Sequence, residues 1–440
     1  MGHVMDITLI TLLAVGLIFV LLAIGTPVFA ALALSGAFGI VMSEDLSFLL
    51  SRLKSLPFSS AANYSLTVIP LFILMGAFAH QAQVGRRLFH VANKWVGHLP
   101  GGLAMAGILT SAGFAATSGS SVATAATVGA VAIPEMKRAG YDPRLAAGSV
   151  AAGGVLGVLI PPSVLLIFYA ALTEVSAGKM LIAGFVPGIL TTIVFMAGTA
   201  IVARQNIAAR SPRAGWGERL RATGQAWQVL VLFVIVLGGI YLGLVTPTEA
   251  GAIGALAAFL MLVFSREGRK GLGGRLQESF RSTTTTTVMV LFTMIGAGIF
   301  SYFLTLAQVP QAVAEAIVGS GVPPLLVVGI LLLLYIPLGM FLDAFSMMVI
   351  TLPIMFPTVT GLGFDPIWFG ILCVKMCEIG LITPPVGLNC FVIAGIDRDT
   401  PLSDVFRGAL WFIAMEMVTV LILFFIPVIT TWLPDTMMGR

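Results

Sequence analysis

The chain has 440 residues, 58% hydrophobic and 10% charged, with mean hydropathy +1.05 and a formal net charge of +4. Soluble globular domains carry about 25% charged residues, so this composition excludes that class. The small basic excess sits in short segments between apolar runs and does not point to nucleic acid.

Apolar runs begin at Ile7–Ile24 and recur, for example at Val229–Leu244 and Ala409–Ile426. Each approaches the ~20 residues that cross a hydrocarbon core of about 30 Å as a helix. The expected class is an all-α polytopic membrane protein. TPVFAALA (26–33) resembles a signal-peptide cleavage region, but MGHVMDITLI before it has no Lys or Arg. The apolar pattern also continues past it, so a retained first helix with an outside N-terminus is expected. Cys373, Cys377 and Cys390 lie in apolar segments without a CxxC pair. Neither a disulfide framework nor a zinc site is indicated.

The chain reads as two copies of one unit, 1–220 and 221–440. Thr26-Pro27 recurs as Thr246-Pro247, LFILMGA (71–77) as LFTMIGA (291–297) and GYDP (140–143) as GFDP (363–366). Pro134 matches Pro357, and Gly157, Pro161 and Pro162 match Gly380, Pro384 and Pro385. The order and near-constant spacing of these landmarks indicate internal duplication.

Lys and Arg near helix ends mark the cytoplasmic side. Copy one carries Arg86, Arg87 and Lys94 in a loop at 83–100, then Lys137, Arg138 and Arg144 around GYDP. The equivalent loops of copy two, 305–323 and 358–366, have neither residue type. The two copies are therefore expected to be inverted repeats, a plan common among secondary transporters. The five arginines in Arg204–Arg221 and five basic residues in Arg266–Arg281 fit the same sidedness. Arg52 and Lys54, in a loop that must face outside, do not.

Two basic flanks on one side require 101–136 to enter and return as a re-entrant hairpin, with TSGSSVAT (117–124) at its tip. The mirror hairpin is 322–357, with Leu342-Asp343-Ala344 near its tip. Pro161 and Pro384 lack an N–H, so the helices at 145–174 and 367–396 are expected to break. Broken helices free carbonyls for cations and present N-terminal N–H groups to a carboxylate. The hairpin-containing parts, 101–174 and 322–396, are expected to move against a scaffold of the remaining helices. The polar stretches 43–60 and 265–282 read as interfacial arms. STTTTT (282–287) reads as a polar helix entry whose hydroxyls cap backbone groups; the less favoured alternative is that its deeper members contribute to a solute cavity. His80 reads as a residue packed near an interface.

SGSSVATAATVGAVAIPEMKRAGYDPRLAAGSVAAGGVLGVLIPPS (118–163) and EIGLITPPVGLNCFV (378–392) resemble the large membrane subunit of tripartite ATP-independent periplasmic (TRAP) transporters. The resemblance covers essentially the whole chain. It implies an elevator-type, Na⁺-driven carrier of small organic anions, such as dicarboxylates or sialic acids, in a bacterial inner membrane. It also implies a small four-helix membrane subunit, expected on a separate chain, and a periplasmic solute-binding protein. Residues and resemblance together place one Na⁺ site at Ser118, Gly119, Ser120 and Ser121 against Gly157, Ile160 and Pro161. The other joins Asp343 and Ala344 to Gly380, Ile382, Thr383 and Pro384. Candidate solute contacts are Ser120, Ser121, Thr124, Pro162, Lys375, Glu378, Pro385 and Asn389.

Plainer readings exist for several of these. Small residues let membrane helices approach closely, which accounts for Ser-Gly-Ser-Ser on composition alone. Lys375 and Glu378, at i and i+3, pair equally well as a buried structural couple. Asp343 alone fits a headgroup loop. Competing functions are a self-sufficient carrier needing no binding protein, an intramembrane enzyme and a channel. The enzyme lacks support, with no HExxH or GxSxG and four histidines.

Overall fold

The GYDP and GFDP motifs build the same corner twice. Gly140 (φ 77°) and Gly363 (φ 85°) end one helix in the left-handed conformation that a side chain disfavours. The next residue reaches back five positions, Tyr141 N–H to Met136 O and Phe364 N–H to Val359 O. Asp142 and Asp365 then cap the following helix, and Pro143 and Pro366 occupy its first turn. Four residues thus stop one apolar helix and start another.

The computed structural model describes residues 7–62, 64–203, 211–265, 269–319 and 321–438. Residues 1–6 of the N-terminal stretch, Ser320, and Arg204, Arg210 and Arg266 of the basic segments lie outside these. Among the described residues the chain forms helices and no strand. The order opens with α1 (Ile7–Ala23), α2 (Val28–Ser43), α3 (Leu46–Leu53), α4 (Leu56–Ala61), α5 (Val68–Gln81) and α6 (Val84–Val96). A hairpin of α7 (Gly102–Ser118) and α8 (Ser121–Arg138) follows, then α9 (Pro143–Leu159), α10 (Val164–Thr173), α11 (Ala177–Ala183) and α12 (Phe185–Val202). Next come α13 (Trp216–Gln225), α14 (Trp227–Tyr241), α15 (Pro247–Phe264), α16 (Leu272–Leu306) and α17 (Val309–Gly319). A second hairpin joins α18 (Pro324–Gly339) to α19 (Ala344–Gly361). The chain then runs through α20 (Pro366–Gly380), α21 (Leu388–Ile396), α22 (Leu402–Phe425) and α23 (Val428–Met438). Among the described residues, five helical spans are long and apolar enough to cross a membrane, or up to eight if each bent pair is one span.

Helix–turn–helix segments stand at both positions expected for hairpins, and helices end at both Pro-Pro pairs. Helix α9 bends into α10 by 44° across Ile160–Ser163, and 381–387 separates α20 from α21. These broken helices form the centre. Every residue of Leu145–Leu159 and of Ile367–Gly380 is buried.

Helices α12 and α22 are keyed to this centre. Gly148 and Gly408 touch backbone to backbone: a Cβ on Gly408 would lie 1.9 Å from the Arg144 carbonyl oxygen. Arg144 pairs with Asp404 at 3.0 Å, Lys137 with Asp397 at 2.5 Å, and Trp368 Nε1–H donates to the Leu423 carbonyl at 2.9 Å. Gly408→Leu should therefore force α22 off α9. The expected loss is at least ~2 kcal/mol, in the range of overpacking a closed contact, read as a lower melting midpoint in detergent.

Three expectations change. The segment 83–100, expected as a loop, is largely helix α6, amphipathic and therefore low in overall hydropathy. The stretch 265–282 is no separate arm: from Leu272 it belongs to the 35-residue α16. STTTTT consequently lies inside a helix, where Thr283 bonds the Ser279 carbonyl at 2.8 Å instead of capping an end. The 43–60 stretch does form two short helices, α3 and α4. There Arg52 lies over the Phe48 and Tyr302 rings at 5.0 and 5.3 Å.

Candidate solute and cation site

The first tip is a two-residue turn. Gly119 (φ 60°) ends α7, and the Ser120 hydroxyl accepts from the Ala123 N–H at 3.4 Å to begin α8. The tip sits directly on the first break. Val164 N–H donates to the Gly119 carbonyl at 3.4 Å. A Cβ on Gly119 would lie 2.8 Å from the Pro162 oxygen, and one on Gly157 would lie 2.5 Å from the Ser120 oxygen and 2.6 Å from Thr124 Oγ1. Gly157 is thus glycine because the tip occupies the space of a side chain.

Oxygen atoms gather in this contact. Ser118 Oγ and Thr124 Oγ1 are 2.8 Å apart, and Thr124 Oγ1–H donates to the Ser120 carbonyl at 2.8 Å. Hydroxyl and carbonyl oxygens with no nitrogen or sulfur among them form the donor chemistry that a hard cation prefers. Ile160, Pro161 and Pro162 are buried behind them.

The second tip is built differently. Asp343 caps α19, its Oδ1 accepting from Phe345 N–H at 2.9 Å and Ser346 N–H at 3.2 Å, and its Oδ2 from the Ser346 hydroxyl. Hairpin and broken helix meet glycine to glycine: a Cβ on Gly339 would lie 2.5 Å from Gly380 Cα. A small cavity of about 150 Å³ lies here, bordered by Asp343, Gly380 and Leu381. Ile382 is buried, the Thr383 hydroxyl donates to the Ile379 carbonyl at 2.6 Å, and Pro384 and Pro385 are partly buried and exposed respectively.

Both tips open onto one larger cavity of about 490 Å³. Ser118–Ala123 and Asp343–Phe345 form one wall. The rest of the lining includes α5, with Gly76, His80 and Gln81, and α16, with Glu278, Ser279, Ser282 and Thr286; Gly76 packs directly on Ser118 of the first tip. Ser282 and Thr286 are the members of the hydroxyl-rich run that reach it.

Several candidate solute residues do not line it. Thr124 is buried beneath the tip, and Pro162 packs on Gly119. Asn389 is buried and ties the halves together: its Nδ2 donates to Ser121 Oγ at 2.6 Å and to the Ala151 carbonyl at 3.1 Å. Lys375 and Glu378 are sealed away, each 0% exposed. Lys375 Nζ lies 3.0 Å from Glu378 Oε2, also pairs with Glu416 of α22, and donates to Thr191 Oγ1 of α12 at 3.0 Å. The sequence paired Lys375 with Glu378 but gave no sign of Glu416 or Thr191, which join it only by long-range packing. His80, expected to pack at an interface, lines the cavity.

Residues 15–429 match the family described as "Tripartite ATP-independent periplasmic transporter, DctM component". A C4-dicarboxylate TRAP transporter large permease protein DctM of Pseudomonas aeruginosa is 41% identical over 409 residues, 92% of this chain and 94% of that protein. The protein of the same description from Vibrio cholerae is 35% identical over 449 aligned positions, 97% of this chain and 99% of that protein. The crystal structure of the Alcanivorax borkumensis YdaH transporter has a similar fold, with TM-score 0.65 at 18% identity, covering 97% of this chain and 99% of that one. An apolar helical chain with paired hairpins and paired broken helices, matched over nearly its full length, belongs to the DctM family of TRAP transporter large permeases.

Proposed function

We propose that this chain carries a small organic anion, a dicarboxylate or similar carboxylate, across a bacterial inner membrane together with Na⁺. The observation that carries the proposal is the single cavity onto which both hairpin tips open. Helices α8 and α19 begin there and direct N–H groups and the positive ends of their dipoles toward it, a setting suited to a carboxylate. The oxygen cluster at Ser118, Ser120 and Thr124 and the Asp343 carboxylate supply the coordination chemistry for Na⁺. The C4-dicarboxylate relatives support the solute class.

The halves act as inverted repeats and the hairpin-bearing body slides as an elevator. This body extends past 101–174 and 322–396, because α12 and α22 are bound to the broken helices by the contacts at Gly408, Glu416 and Thr191. Helices α5 and α16 belong to the fixed wall. The cavity lies beside the ends of α5 and α16 nearest the basic segments, which supports an opening toward the cytoplasm. A small membrane subunit and a periplasmic binding protein complete the system, with the N-terminus of this chain on the periplasmic side.

Asp343→Asn tests the second cation site, because Asn keeps the helix cap and removes the charge. The Na⁺ concentration giving half-maximal uptake in proteoliposomes should rise about tenfold, equivalent to ~1.4 kcal/mol. An unchanged Na⁺ dependence would remove Asp343 from the coupling site.

A further inference from the structure

Residue His80 stands on α5, beside α8 of the first hairpin, and lines the cavity. Its Nδ1 lies 2.5 Å from Thr127 Oγ1 on α8. The Thr127 hydroxyl has one hydrogen, and its geometry assigns that hydrogen to the Ala123 carbonyl at 2.7 Å. With that hydrogen so engaged, Thr127 accepts from the ring and Nδ1 carries the proton. In the neutral ring Nε2 is left with its lone pair. Thr127 does not line the cavity and His80 does, so the free edge of the ring faces the solute space. The charged groups around it are Glu278, on α16 at the same cavity, and Arg275, whose Nη1 donates to the neighbouring Gln81 carbonyl at 2.6 Å.

A bare Nε2 rejects a carboxylate oxygen, because two lone pairs would meet. It accepts from an O–H or N–H. The N-termini of α8 and α19 at the cavity suit the carboxylate itself. We propose that His80 is a specificity-determining residue that accepts, at Nε2, a hydrogen bond from a hydroxyl or amino group beside the solute's carboxylate. This rests on the organic-anion reading of the cavity.

The test is equilibrium binding, with Na⁺ present, to the permease purified with its small subunit. The probes are matched acids differing by one hydroxyl: succinate and malate, glutarate and 2-hydroxyglutarate, propionate and lactate. Wild type should bind the hydroxylated member of a recognised pair about tenfold more tightly, the scale of one hydrogen bond in a wet site. His80→Phe should erase that ratio, and His80→Asn, whose Oδ1 still accepts, should keep part of it. A ratio unmoved by His80→Phe, or a preference for the plain acid in every pair, overturns the proposal. If no pair binds, the organic-anion reading fails and the imidazole ¹⁵N spectrum decides for His80. A protonated Nδ1 with bare Nε2 supports the assignment, and the reverse tautomer overturns it.

Discussion

Replacing Lys375 by Met is expected to lower stability by about 3–5 kcal/mol, the scale for breaking a buried ion pair by removing one partner. Lys375 is the cation between two carboxylates, Glu378 and Glu416, all three with no exposed side-chain surface. Without it, two buried carboxylates face each other with no counter-charge. Glu378 Oε1 and Glu416 Oε2 accept from no other donor, so Lys375 is the group that holds the pair together. Thermal melting of the detergent-solubilised protein measures the loss. Adding Glu378→Gln and Glu416→Gln to Lys375→Met should recover most of it, since the buried charge is then gone. A Lys375→Met protein melting like wild type would contradict the cluster as drawn. The cluster joins α20, α22 and α12, so its loss should also loosen the body that the proposed elevator movement carries as one unit.

The second large effect is expected at Gly157. A valine there places carbon within 2.6 Å of both the Ser120 carbonyl oxygen and the Thr124 hydroxyl. The first is backbone and cannot rotate away, so the tip must lift off the break. The oxygen cluster opens, and Na⁺-driven uptake should fall at least a hundredfold, or ~2.7 kcal/mol of coupling. Gly395→Ala is the control. A Cβ at Gly395 meets nothing within 4 Å, and the change should stay within about 0.5 kcal/mol, as at other open surface positions. Gly157→Val with normal Na⁺ dependence would separate the first tip from cation binding.

Local chemistry made much of this site readable. The Gly-aromatic-Asp-Pro corners, the Ser-Gly-Ser-Ser turn and the Pro-Pro breaks each specify their own backbone within a few residues, and each appears where its residues place it. Periodicity served less well where polar and apolar faces alternate. Helix α6 averages to low hydropathy and reads as a loop, while α16 hides its continuity behind a polar first half. Partners brought together by packing were not legible. Asn389 reaches Ser121 across 268 positions, and Lys375 reaches Thr191 across 184. His80 is the instructive case: it stands between an apolar run and Gln81-Ala82-Gln83, and only the approach of α8 gives its ring a hydrogen-bond partner beside the cavity.

The most direct test of the account is solute uptake by proteoliposomes containing this chain and the proposed small subunit, with an imposed inward Na⁺ gradient, with and without the proposed binding protein. A C4-dicarboxylate such as succinate or malate is the first probe. Uptake that requires both the gradient and the binding protein is the predicted result. Uptake driven by Na⁺ without the binding protein would make the chain a self-sufficient carrier, and uptake indifferent to Na⁺ would contradict the assignment of the two hairpin tips as cation sites.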